Sequence, residues 1–305
     1  GPTACGKTTL GVMLARSFGG EVVSADSMQI YRGMEIGTAA PTAEETRGVP
    51  HYMVGVADPR ENYSAARFVA EASKCVDDIL ARGKLPVIVG GTGLWLDALV
   101  AGTDFAGGHS GGKWRAILEK RLETEGAAAL YAELSGIDPK AAAKIQPTDA
   151  KRITRALEMY CETGKTKTEH DEETRKKPLR YDAVYIGLAF RDREDMKRLI
   201  DSRVDAMMAA GLLDEVRALV AAGVSPDSTA LQAIGYKELL PALAGKISAE
   251  AATEEIKLRS RQYAKRQLTW LRRNKNIRWI FWEQTRDFDM ALRVSTNILT
   301  AEGLR

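Results

Sequence analysis

The chain has 305 residues, 45% of them hydrophobic and 28% charged, with a formal net charge of +3. That composition excludes a disordered or low-complexity protein and leaves enough apolar material for one large or two moderate domains. Three scattered cysteines, Cys5, Cys75 and Cys161, with no CxxC pair, exclude a disulfide framework or a cysteine-built zinc site and fit a reducing, cytoplasmic setting. No run of about 18 apolar residues occurs, so no membrane span is expected.

The chain opens on GPTACGKT, Gly1 to Thr8: glycine, four residues, then Gly-Lys-Thr, the pattern of a loop that cradles phosphate groups. Such a loop normally follows a buried strand, so the natural chain is expected to begin several residues earlier. Thr9 to Ser17 predicts a helix stopped by Gly19-Gly20. The β-branched run Glu21 to Ser27 predicts a strand ending in a polar turn. Ser64 to Arg82 predicts a helix with Ser64 as N-cap and Gly83 as its stop. Leu85 to Val89 is continuously apolar, as for a strand buried on both faces, and Gly90-Gly91 turns it into another helix.

Alternating strands and helices predict an α/β fold with a parallel sheet flanked by helices. From Asp104 the character changes. GGHSGGK, Gly107 to Lys113, is glycine-rich, Lys113 to about Thr163 reads as helices, and Thr163 to Pro178 reads as a charged, flexible stretch. Ala183 to Phe190 is strand-like again, and the remainder reads as mostly helical. The expected organisation is a core at 1–104, a helical insertion at 105–180, and the rest of the core at 181–305.

Backbone N–H groups around Gly1, Thr3, Ala4, Cys5 and Gly6 can form an anion nest at a helix N-terminus. Lys7 adds a full charge and Thr8 a hydroxyl for Mg²⁺ or phosphate. The loop binds a diphosphate or triphosphate without saying which; the bland alternative is a glycine-rich turn before a helix. An ATPase usually carries an acid at the end of an apolar strand. Here that strand ends in Gly90-Gly91-Thr92, and the acid lies at Asp26, at the end of the preceding strand. Ligands bind at the carboxyl ends of strands in open α/β sheets, so Asp26 can reach a substrate there. It can equally be a turn residue.

Ile256 to Trp282 holds nine Lys and Arg residues and no acid. On a helix Lys257, Arg261 and Lys265 share one face, as a phosphate backbone would require, while Ala264, Leu268 and Leu271 share another; a solvated helix face is the plain alternative. Tyr263 and Trp270 can be core or stacking groups.

DSMQIYRGMEIGTA, VGGTGLW, KRITRALE and AKRQLTWLR, together with the phosphate loop, resemble the bacterial tRNA dimethylallyltransferases, also called tRNA isopentenyltransferases, from the first residue to about Trp282. The resemblance implies a P-loop NTPase-like fold and transfer of a dimethylallyl group from dimethylallyl diphosphate to the N6 amine of the adenosine 3′-adjacent to the anticodon. The loop then grips a diphosphate rather than ATP. The same resemblance implies that Lys7 and Arg203 stabilise the leaving group, that Asp26 is the general base and that Thr3 contacts substrate. The resemblance assigns tRNA contacts to Asp26, Ser27, Met28, Gln29, Thr92, Arg115, Lys151, Arg152, Ile153, Thr154, Arg155, Gln232, Gly235, Tyr236, Lys237, Arg261, Gln262, Lys265, Arg266 and Gln267. Lys237 stands where many relatives have Arg, which keeps the charge and loses the planar fork. Mg²⁺ is the expected cofactor, an anticodon stem-loop the expected partner, and a monomer the expected state. The rival readings are an adenylate isopentenyltransferase, a P-loop small-molecule kinase, and a non-catalytic RNA-binding protein.

Overall fold

The computed structural model describes residues 1–103, 105 and 112–304. Positions 107–111 of the glycine-rich stretch, and position 104, where the first segment was expected to end, lie outside the described residues. Residues 1–99 with 182–305 form one compact unit, and 100–181 form a second.

In the first unit the phosphate loop leads into α1 (Lys7–Ser17). Then come β1 (Glu21–Ala25), β2 (His51–Tyr52), α2 (Ala65–Ala81), β3 (Pro86–Gly90) and α3 (Gly93–Ala101), whose end crosses into the second unit. Ser64 caps α2 by accepting from Arg67 N, as its sequence predicts. β1 lies centrally in a parallel sheet of order β2-β1-β3. It ends two residues short of the predicted boundary because Asp26 Oδ1 accepts from Met28 N at 3.0 Å and starts the turn. β3 is half-buried along its length rather than buried on both faces. Among the described residues it pairs with β1 alone.

β4 (Ile186–Phe190) and β5 (Arg278–Trp282) form a separate parallel pair. The described residues therefore hold two sheets where the sequence predicted one, and α1 joins them. Its Leu10 and Leu14 pack with Leu188, Phe190, Ile280 and Trp282, while Val12 and Ala15 pack with Val22, Val87 and Val89. Gly11 permits the second contact: a Cβ there would come within 2.4 Å of Val89 Cγ2. β5 was hidden in the basic segment. Its RWIFW sequence continues a run of cations, and only pairing with β4 reveals it as a strand.

The second unit contains α4 (Lys113–Ile137), kinked at Gly126, α5 (Ala150–Thr163) and α6 (Lys167–Lys176). The stretch expected to be flexible is thus largely helical. Thr166 accepts from Glu169 N while Glu169 accepts from Thr166 N, a capping box that starts α6. The first unit continues with α7 (Arg193–Ala209), α8 (Leu212–Ala221), α9 (Ala249–Leu271) and α10 (Phe288–Ala301). No helix among the described residues is long and apolar enough to cross a membrane.

Candidate active site

The phosphate loop is bent by two left-handed residues, Ala4 at φ 62° and Gly6 at φ 83°. Successive N–H groups then turn toward one concavity, and α1 adds its dipole there with no side chain capping its first turn. Gly6 must lack a Cβ, because one would come within 2.7 Å of Phe288 Cζ. Lys7 Nζ donates to Pro2 O at 2.6 Å, leaving two of its three protons for a ligand. Gly1 and the fully buried Cys5 support the loop from behind: the Cys5 thiol donates to Pro2 O, and Cys5 O accepts from Trp282 Nε1.

A cavity of about 450 Å³ opens on this loop. Thr3, Ala4, Gly6, Lys7 and Thr8 line it, and so do Asp26, Ser27, Met28, Gln29 and Arg203. The loop, the acid after β1 and an arginine of α7 thus meet in one space. Arg203 makes no hydrogen bond or ion pair among the described residues. Burial pushes its guanidinium below the ordinary arginine range, and Asp26 pulls it back. A charge held this way is poised for an anion.

The Asp26 turn is braced from two sides. Thr92 Oγ1 accepts from Ser27 N at 3.1 Å, so Thr92 positions the turn without lining the cavity. Gln29 accepts from Ser24 Oγ and donates to Thr38 O and Ala39 O. Met28 N occupies Asp26 Oδ1, which leaves Oδ2 for a substrate proton.

α9 supplies a further part of the lining through Ile256, Ser260, Tyr263, Arg266 and Gln267. Gln267 is committed to the loop rather than free for RNA. Its Oε1 accepts from Thr3 N at 2.8 Å and its Nε2 donates to Gly91 O at 3.0 Å. Burial, reinforced by the negative charge of Asp26, pushes the Tyr263 phenol up to about 12, so it stays protonated.

The structure corrects the basic face. The window had no acid of its own, but α7 supplies two: Lys257 pairs with Asp205 and with Glu254 of its own helix, and Arg261 donates to both oxygens of Asp201. Arg259 pairs with Glu255. Lys265 and Arg266 stay exposed, as does Gln262 between the two faces. Tyr236 is 0% exposed and donates to Glu215 Oε1, so it cannot face RNA. Glu215 also accepts from Ile36 N and Gly37 N, and this tie secures the strand-end segment to α8. Gln232 and Gly235 do line the cavity, and Lys237 is exposed outside it.

In the second unit Ile153 and Thr154 are buried in the helical packing, against the expectation that they touch RNA. Arg115 and Arg155 close on the fully buried carboxylate of Glu158, Arg115 through both Nε and Nη2. They are a clamp between α4 and α5, since a buried carboxylate needs such partners. Lys151 and Arg152 remain exposed.

Sequence reasoning passed over Glu45 and Arg286, which also line the cavity. Glu45 is partly spent capping its own turn with Thr42. Arg286 lies in the link between β5 and α10, where no motif marks it.

Two family models match the chain: IPP transferase over residues 29–274 and Isopentenyl transferase over residues 1–55. A tRNA dimethylallyltransferase of Thermomicrobium roseum is 46% identical over 92% of this chain and 84% of its own length. One from Geobacter sulfurreducens is 46% identical over 95% and 92%. Among solved structures, the full-length tRNA isopentenylpyrophosphate transferase of Bacillus halodurans superposes with a TM-score of 0.73 at 42% identity, covering 99% of this chain and 94% of that one. A eukaryotic dimethylallyltransferase acting on tRNA gives a TM-score of 0.82 at 30% identity over 99% and 78%.

Proposed function

The chain belongs to the IPP transferase family, and we propose that it transfers a dimethylallyl group from dimethylallyl diphosphate to the N6 amine of the adenosine 3′-adjacent to the anticodon in tRNA, releasing diphosphate. One observation carries this reading: the phosphate loop, Arg203 and Asp26 line the same cavity, with no wall of protein between the anion nest and the acid.

The donor C–O bond breaks as the N6–C bond forms, so charge builds on the diphosphate while a proton must leave the amine. Preorganised donors aimed at the departing oxygens are worth most in such a recess. The loop amides, Lys7 and Arg203 fill that role. Asp26 Oδ2 accepts the amine proton. The adenine has to leave its stack to reach this depth, and the exposed cations at the α9 rim hold the RNA that delivers it. In the second unit the exposed Lys151 and Arg152 are assigned to the same RNA.

Among the described residues no cluster of three His, Cys, Asp or Glu side chains could cage a metal. The Thr8 hydroxyl on the cavity wall fits Mg²⁺ held by one protein oxygen, diphosphate oxygens and water. When bound, the ion would neutralise charge on the leaving group. The enzyme is proposed to act as a monomer, and its tRNA substrate assigns it to the cytoplasm.

Replacing Asp26 with Ala tests the reading. Transfer should fall about a hundredfold or more, the scale of a lost general base, with RNA binding unchanged. Transfer at the wild-type rate would remove Asp26 from the chemistry.

A further inference from the structure

Arg286 sits in the link 283–287 between β5 and α10, beyond residue 274 where the IPP transferase model ends. Its side chain lies along the phosphate loop. A Cβ built on Gly6 would come within 3.3 Å of Arg286 Cδ and 2.7 Å of Phe288 Cζ. The guanidinium lies 5.8 Å from the Phe288 ring centroid, and Phe288 in turn meets the buried Trp282 edge-on. The link is therefore fixed to the core beside the anion nest. Arg286 lines the cavity with Lys7, Thr8 and Arg203, and it is near enough to Arg203 for the two charges to oppose each other. Among the described residues it makes no hydrogen bond or ion pair.

Arg203 and Arg286 face one recess with no ion pair of their own, Asp26 and Glu45 acting on Arg203 only at a distance, and an entering anion relieves their mutual repulsion. We propose that Arg286 is a third cation of the diphosphate site. It closes the leaving group from the exposed side and forms hydrogen bonds to phosphate oxygens through its planar fork. The inference rests on the donor being a diphosphate, as argued above. It assigns Arg286 to binding and orientation, because a guanidinium on the exposed side meets the diphosphate before and during bond breaking alike.

The test compares wild type, Arg286→Ala and Arg286→Lys, using inorganic pyrophosphate as the binding probe and dimethylallyl diphosphate in steady-state transfer to RNA. Arg286→Ala should weaken pyrophosphate binding and raise the donor KM about tenfold, with kcat within about twofold and an unchanged melting temperature. Arg286→Lys should recover part of the affinity, since charge returns without the fork. Equal pyrophosphate affinity in wild type and Arg286→Ala would overturn the inference and leave the transferase reading intact. So would a loss confined to kcat. A wild-type protein that transfers no dimethylallyl group and binds no pyrophosphate would overturn the underlying reading as well.

Discussion

Gln267 links α9 to the phosphate loop, and its amide is suited to the task in both directions. It accepts from Thr3 N and donates to Gly91 O, joining the loop to the end of β3. Gln267→Leu leaves a loop N–H and a strand carbonyl without partners and should cost about 1–3 kcal/mol in thermal unfolding, with a raised donor KM. Gln267→Glu keeps the acceptor and loses the donor, and it adds a negative charge beside a diphosphate. Its donor KM should therefore rise more than its stability falls. A Gln267→Glu enzyme with wild-type donor KM would show that the loop does not depend on this brace. At this scale the sequence was legible where a residue acts through its backbone motif: Gly6, Lys7, Thr8 and Asp26 all line the cavity. It was not legible where a long-range partner decides the role. Nothing near Arg115 announces the buried Glu158 that holds it, and nothing near Tyr236 announces Glu215.

Helix α9 shows how an element acquires its electrostatic character from its neighbours. A window of cations without acids predicts a one-signed face, yet packing against α7 neutralises Lys257 and Arg261. Lys265 and Arg266 are exposed on the same helix and are paired with no acid among the described residues. Neutralising those two should lower the slope of log K against log salt for RNA binding by about 1–2. Neutralising Lys257 and Arg261 instead should leave the slope nearly unchanged and lower the melting temperature through the lost α7 contact. Equal slope changes in the two double variants would refute this division.

Strand β1 is anchored by a different ionic group. Glu21, its side chain 3% exposed, accepts from Arg82, Lys84 and the Tyr52 hydroxyl, and so draws together β1, β2 and the end of α2. These partners, Arg82 foremost, hold its carboxyl well below the usual carboxylate range. Because folding lowers this pKa, the stabilisation is whole above the ordinary glutamate value of about 4.3 and is lost as pH falls below it. Glu21→Gln should be about 2 kcal/mol less stable at neutral pH. The gap to wild type should narrow below about pH 4, as measured by denaturant unfolding across pH. A gap that stays constant to lower pH would contradict the assignment.

At the scale of the molecule, α1 is the element on which both sheets depend, and the phosphate loop inherits its rigidity from that position. Gly11 marks a close approach of α1 to β3. Gly11→Ala should cost about 1–3 kcal/mol through overpacking against Val89, despite the better helix propensity of alanine. The sequence displayed the alternation of strand and helix that leads to this architecture, because apolar runs and glycine stops are local signals. It concealed the division into two sheets and the strand β5, because both are settled by pairing between distant segments. It also concealed α6, whose Thr166–Glu169 capping box lies inside a stretch too charged to show an apolar stripe. The cavity lies where these long-range choices converge, so its motif residues were readable and its outer residue Arg286 was not.

In the proposed reaction the glycine-lined recess holds a departing diphosphate while Asp26 prepares an adenine nitrogen. Its most direct test is to incubate the protein with Mg²⁺, dimethylallyl diphosphate and an anticodon-stem hairpin, then to analyse the digested RNA by mass. The expected product carries one dimethylallyl group in place of a hydrogen on the adenosine 3′ to the anticodon, with pyrophosphate released in equal amount. An unmodified hairpin, alongside prenylated AMP or hydrolysed ATP under matched conditions, would contradict it.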